Sequence, residues 1–139
     1  IMLISSLSYS QETLKSEKLF RLSTGEKVNI TTYNKDGKFR NKKVDFLGLN
    51  RKHLLDSTDL IVMFSGDKEA FKKYIEDLTL FLNNNEEGKC TTISETCFNI
   101  RNSMGRKILI IANKNGFIWI GNNELRKLSK KYDKVYNSI

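Results

Sequence analysis

The chain has 139 residues, with 24 Lys and Arg against 16 Asp and Glu, one His, two Cys and no Pro. That length suits one domain, and a hydrophobic content of 39% with eight Phe, five Tyr and one Trp supplies a core, so wholesale disorder is excluded. Two cysteines and one histidine exclude a disulfide-rich scaffold, an all-cysteine zinc site and a His-rich metal cluster, and no apolar run reaches membrane-spanning length.

The opening residues Ile1 to Leu7 are apolar or small, and Ser8-Tyr9-Ser10 has the small-x-small form that signal peptidase accepts. Residues 1–11 are therefore expected to be the tail of a truncated secretory signal, ahead of one α+β domain over 12–139. That places the mature domain in the periplasm or outside the cell. If Met2 is the true start, the apolar stretch is too short for export and the protein is cytoplasmic.

Glu17 to Leu22 reads as a short strand. Val28, Ile30 and Thr32 alternate with Asn29, Thr31 and Tyr33, the period of two that marks a strand. Asn34-Lys35-Asp36-Gly37 then signals a hairpin, because Asp-Gly suits turns that need positive φ, and Lys43 to Leu47 is its partner strand. Arg51 to Leu55 reads as one helical turn. Asp59 to Phe64 is an apolar run expected to be a buried central strand. Phe71, Tyr74, Ile75, Leu78 and Leu82 mark one face of a helix over about 67–82, with Ser65 or Asp67 as its cap. Cys90 and Cys97 fall on one β segment. An odd offset puts them on opposite faces of a regular strand, so a disulfide between them requires an intervening turn. Arg106 to Ala112 and Phe117 to Ile120 flank the turn Asn113-Lys114-Asn115-Gly116, and a last helix over about 123–135 carries Leu125, Leu128, Tyr132 and Val135 on one face. The resulting expectation is one antiparallel sheet of five or six strands, with Leu60–Phe64 and Ile108–Ile111 central and both helices on one face. The two Asn-Lys-x-Gly turns echo each other, which local turn chemistry explains better than duplication does.

The charge is uneven: residues 1–52 carry +6, residues 53–100 carry −5 and residues 101–139 carry +7. Two basic clusters stand out, Lys35, Lys38, Arg40, Lys42 and Lys43 around the first hairpin, and Arg126, Lys127, Lys130, Lys131 and Lys134 on the last helix. These are the candidate binding residues. An acidic protein or an envelope component is the favoured partner, and nucleic acid is the alternative. No nucleic-acid motif is legible, and lysine outnumbers arginine, the better reader of bases and phosphates. No cofactor is implied. For catalysis the only candidates are His53 and Asp56, three residues apart, which lack any nucleophile frame; a small hydrolase built on them is the weakest reading, and a non-catalytic binding domain the strongest.

Overall fold

The computed structural model describes residues 12–35, 39–52, 59–93 and 95–139. The chain runs through four strands, β1 (Glu12–Arg21), β2 (Lys27–Lys35), β3 (Phe39–Leu49) and β4 (Leu60–Gly66), into helix α1 (Lys68–Asn84). The same order then repeats: β5 (Cys90–Ile93), β6 (Thr96–Ser103), β7 (Arg106–Asn113) and β8 (Gly116–Gly121) lead into helix α2 (Asn122–Val135), followed by a short 3-10 turn. Each set of strands forms its own antiparallel sheet, in the orders β1-β2-β3-β4 and β5-β6-β7-β8. The expected single sheet of five or six strands is thus replaced by two sheets of four. The α+β class stands.

The expected central position of Leu60–Phe64 fails for the same reason. β4 is an edge strand in which only Met63 is buried, Val62 and Ser65 are exposed and the rest is half-buried. Phe46 pairs with Phe64 and Leu47 with Val62, so Met63 is the extra residue of a bulge. The Val62 carbonyl accepts from the Asn113 side-chain amide at the end of β7, at 3.3 Å. Ile108–Ile111 do sit in an interior strand, β7, with Leu109 and Ile111 fully buried. What reads as one β segment around the cysteines is the hairpin β5–β6.

Both helices form where their apolar spacing places them. They start by complementary halves of one capping device. At α1 the Asp67 carboxylate accepts from the Ala70 N–H at 2.8 Å; at α2 the Glu124 carboxylate, three residues inside, accepts from the Gly121 N–H at 3.0 Å. α1 has no basic residue in its last turn, and Lys107 of β7 supplies one, its Nζ donating to the carbonyls of Asn85 (2.6 Å) and Leu82 (3.4 Å).

The helices run antiparallel. Phe71 near the start of α1 meets Tyr132 near the end of α2 edge-on at 4.8 Å, and the Tyr132 hydroxyl donates to the Lys68 carbonyl at 2.8 Å. Burial pushes the Tyr132 phenol well above its ordinary range. Phe71 also touches Phe46 and Phe64, so β3, β4, α1 and α2 share one aromatic cluster. The buried residues of both units form one continuous core.

The sheets themselves meet where β3 ends against β8. Gly48 lies under Ile118, and a Cβ there would come within 2.8 Å of that side chain. Asn50, 3% exposed, binds both units: its carbonyl oxygen accepts from the N–H groups of Lys52 (3.0 Å) and Phe117 (3.3 Å), and its amide donates to the Asn115 carbonyl and to Asp59 (both 3.4 Å). On the outer face of the first sheet a polar chain runs across all four strands, Ser16–Thr31 (3.3 Å), Thr31–Asp45 (2.7 Å) and Ser65–Asp45 (2.6 Å).

Leu78→Ala is expected to cost about 2–5 kcal/mol, as for other fully buried leucines. Equilibrium denaturation checks this, and a loss under about 1 kcal/mol would contradict the assigned helix face.

Candidate functional site: a cationic cleft

A cleft among the described residues has a volume of about 570 Å³. It opens where the β1–β2 turn, the end of β3, the end of α1 and the junction of β8 with α2 converge. Its distinguishing side chains are Glu26, Arg51, Arg106, Trp119, Glu124 and Arg126.

Each arrives by a local rule. β8 alternates, so with Ile118 and Ile120 turned into the core, Trp119 must face outward, and it is 43% exposed. Arg51 follows Asn50 out of β3; its N–H donates to the Phe117 carbonyl at 2.8 Å, and its guanidinium lies 5.3 Å from the centre of the Trp119 ring. The Arg51 Nε is buried and has no partner among the described residues. Glu26 is only 3% exposed, in a turn closed by the Leu22 N–H to Glu26 carbonyl bond at 2.8 Å, and its carboxylate accepts from the Thr24 hydroxyl. Arg106 and Lys107 open β7, beside the β8 end from which α2 departs, because Ile108 pairs with Gly121. Lys107 is committed to the end of α1, whereas Arg106 and Arg126 are exposed.

Arg126 belongs to both the cleft and the outer face of α2. Beyond it Lys127, Lys130, Lys131 and Lys134 are all exposed, while Leu125, Leu128 and Tyr132 face the core. The helix-borne basic cluster is thereby continuous with the cleft. The hairpin-borne cluster lies on the other sheet: Lys42 is exposed, and the half-buried Lys43 has its ammonium 5.5 Å from the Tyr33 ring centre. Burial, and then the charge of Asp45, raise the Tyr33 phenol pKa. Lys38 and the side chains of Lys35 and Arg40 lie outside the described residues, as do His53 and Asp56. Asp59, exposed at the start of β4, is held by the Asn50 amide.

Cys90 and Cys97 are free thiols, one exposed and one half-buried. The turn that a bridge would require is present. Thr92 pairs with Cys97 and Cys90 with Asn99, so the two cysteines share a face but stand diagonally rather than opposite each other. Among the described residues no group of three or more His, Cys, Asp or Glu is arranged to hold a metal ion, and no helix is long and apolar enough to cross a membrane.

Arg51, Arg106, Trp119 and Glu26 are absent from the sequence-derived candidates. The alternation of Phe117 to Ile120 carries a signal for Trp119; Glu26 in a Ser-Thr-Gly-Glu turn carries none. Comparison of the chain with protein-family models, curated proteins and solved structures finds no match in any of the three.

Trp119 is the chain's single tryptophan, so its emission reports on the cleft. Arg51→Ala is expected to raise the acrylamide quenching of that emission, with less than about 1 kcal/mol lost in stability, since an exposed cation–π pair contributes little more. Unchanged quenching would mean that the guanidinium does not cover the ring in solution.

Proposed function

We propose that this protein is a non-catalytic binding domain that recognises an acidic partner protein through the outer face of α2 and the adjoining cleft. The observation that carries this reading is the position of Arg126, which joins the exposed lysines of α2 to the arginines around Trp119 in one cationic surface. The surface has an aromatic wall and arginine forks, the groups that recognise carboxylates in pairs, at its deep end and diffuse lysine charge along its approach. Lysines on a helix face steer an acidic chain without demanding a set geometry, and the cleft supplies the specific contact. In the exported setting that Ser8-Tyr9-Ser10 suggests, that partner is an envelope or extracellular component, and the domain serves it as an accessory.

A nucleic acid would use the same charge. Among the cleft residues a single ring, Trp119, is a meagre stacking platform for its bases.

The test is fluorescence anisotropy with labelled poly-L-glutamate and an oligothymidylate of equal charge, each over a salt series. Poly-L-glutamate is expected to bind with a falling log–log salt dependence and to quench or shift Trp119 emission. Replacing Arg126, Lys127, Lys130 and Lys131 together by Gln should weaken it at least tenfold, roughly the sum of four modest charge contacts. Stronger binding of the oligothymidylate, lost in the same variant, would overturn the reading in favour of nucleic acid.

A further inference from the structure

The β6–β7 turn presents an anomaly. Met104 is 99% exposed and holds φ at +53°, followed by Gly105 at +81°. Left-handed backbone at the first of two such turn positions suits Asn, Asp or Gly; a methionine there costs backbone energy and leaves an apolar side chain wholly in water. Arg101 and Arg106, both exposed, flank it on the two strands, so the tip is a soft apolar knob in a cationic collar.

At the other end of the same ribbon is a hole. A cavity of about 280 Å³ opens between β4, α1 and the β5–β6 hairpin, walled by the rings of Phe64, Tyr74, Phe81 and Phe98, with Ile93, itself 60% exposed, at its rim. The Phe64 and Tyr74 rings stack at 4.6 Å, and burial raises the Tyr74 phenol far above its ordinary range. Asp77 lines the mouth, where Lys73 reaches it at 3.0 Å, and the exposed Glu95 sits in the turn between Ile93 and Thr96.

We infer that Met104 of one copy of this chain seats in the aromatic cavity of a second copy, and that the second copy returns the contact, making a two-fold pair. The knob matches the hole in chemistry, since an unbranched thioether gains from aromatic walls and adapts to their shape. The collar also meets charge beside the mouth, Arg101 and Arg106 against the exposed Glu95 of the adjoining turn, while Asp77 is already paired with Lys73. Neither contact is available within one chain, because β6 runs from Thr96 beside the cavity to Ser103 beside the tip, roughly 24 Å at strand rise. Two copies laid antiparallel place each tip at the other's cavity, so every contact is made twice. A two-fold arrangement also closes on itself, whereas a head-to-tail one would leave a knob and a hole open at its ends.

Sedimentation velocity over about 10–500 µM is the test. A monomer–dimer equilibrium is expected, and Met104→Asn should raise its dissociation constant about tenfold, the fold-change for withdrawing two buried methionines in part. Asparagine suits the left-handed turn, so this variant is expected to be at least as stable as the parent in denaturation, which separates lost pairing from lost folding. Ile93→Asp, at an exposed rim, should weaken pairing to a similar degree. Mixing the Met104→Asn variant with the Ile93→Asp variant should restore one of the two contacts and so yield heterodimers more stable than either homodimer. A monomer at every concentration, a dimer indifferent to Met104→Asn, or growth into longer chains would overturn the inference.

Discussion

A four-stranded meander with one helix has too little apolar surface to close a core of its own, and that constraint organises this molecule. Units of this size bury a smaller fraction of their surface than larger domains do, and below a certain length they need help from disulfides, metals or a partner. Here the help is a second unit of the same design within the chain. α1 and α2 each owe burial to both halves, and the clearest sign is Phe71, which touches the Phe46 and Phe64 rings of its own sheet and the Tyr132 ring of the other unit's helix. The sheets never merge into one ladder. They are joined instead by Asn50 and the Asn113–Val62 bond, side-chain amides doing what strand pairing does elsewhere.

The periodicity in the sequence revealed the elements better than their assembly. Both helices, the hairpins β2–β3 and β7–β8 and the strand β4 lie where alternation, helical spacing and turn residues place them, because those signals are local. The division into two sheets is not local. Leu60 to Phe64 looks like a central strand because it is continuously apolar, yet its apolarity serves a bulge at Met63 and the aromatic cluster at Phe64. The twofold order was hidden for a related reason. The matching turns Asn34–Gly37 and Asn113–Gly116 are not equivalent: one joins the second and third strands of its unit, the other the third and fourth. The actual correspondence sets Asp67 against Gly121 at the caps and Phe71 against Leu125 and Leu78 against Tyr132 on the buried faces; it preserves burial on those faces but not residue identity, and even the helix starts use opposite halves of the capping pair.

The same contrast holds for the cationic surface. Five basic residues on α2 are legible because a helix face is a local pattern. The residues at the deep end come from the β1–β2 turn, the end of β3, β7 and β8, and only the fold assembles them. Lys107 shows how far the charge count misleads when read without structure: it belongs to a basic stretch, but its ammonium is engaged by the carbonyls that end α1. Arg106, its neighbour, points the other way along the strand and stays exposed. One step of β alternation separates a cation that holds the fold together from one that is open to a partner.

The two units of this repeated order carry unequal surfaces. The first unit ends in a helix whose exposed face mixes Lys72, Lys73, Glu76 and Asp77, with Lys73 and Asp77 paired at i and i+4. The second ends in a helix whose exposed face is overwhelmingly basic. A shared architecture with different surface chemistry lets the similarly apolar inner faces serve the core while the outer faces diverge, since burial constrains shape and apolarity but an exposed charge costs the fold little either way. The acidic middle and basic end of the chain are the sequence record of that division.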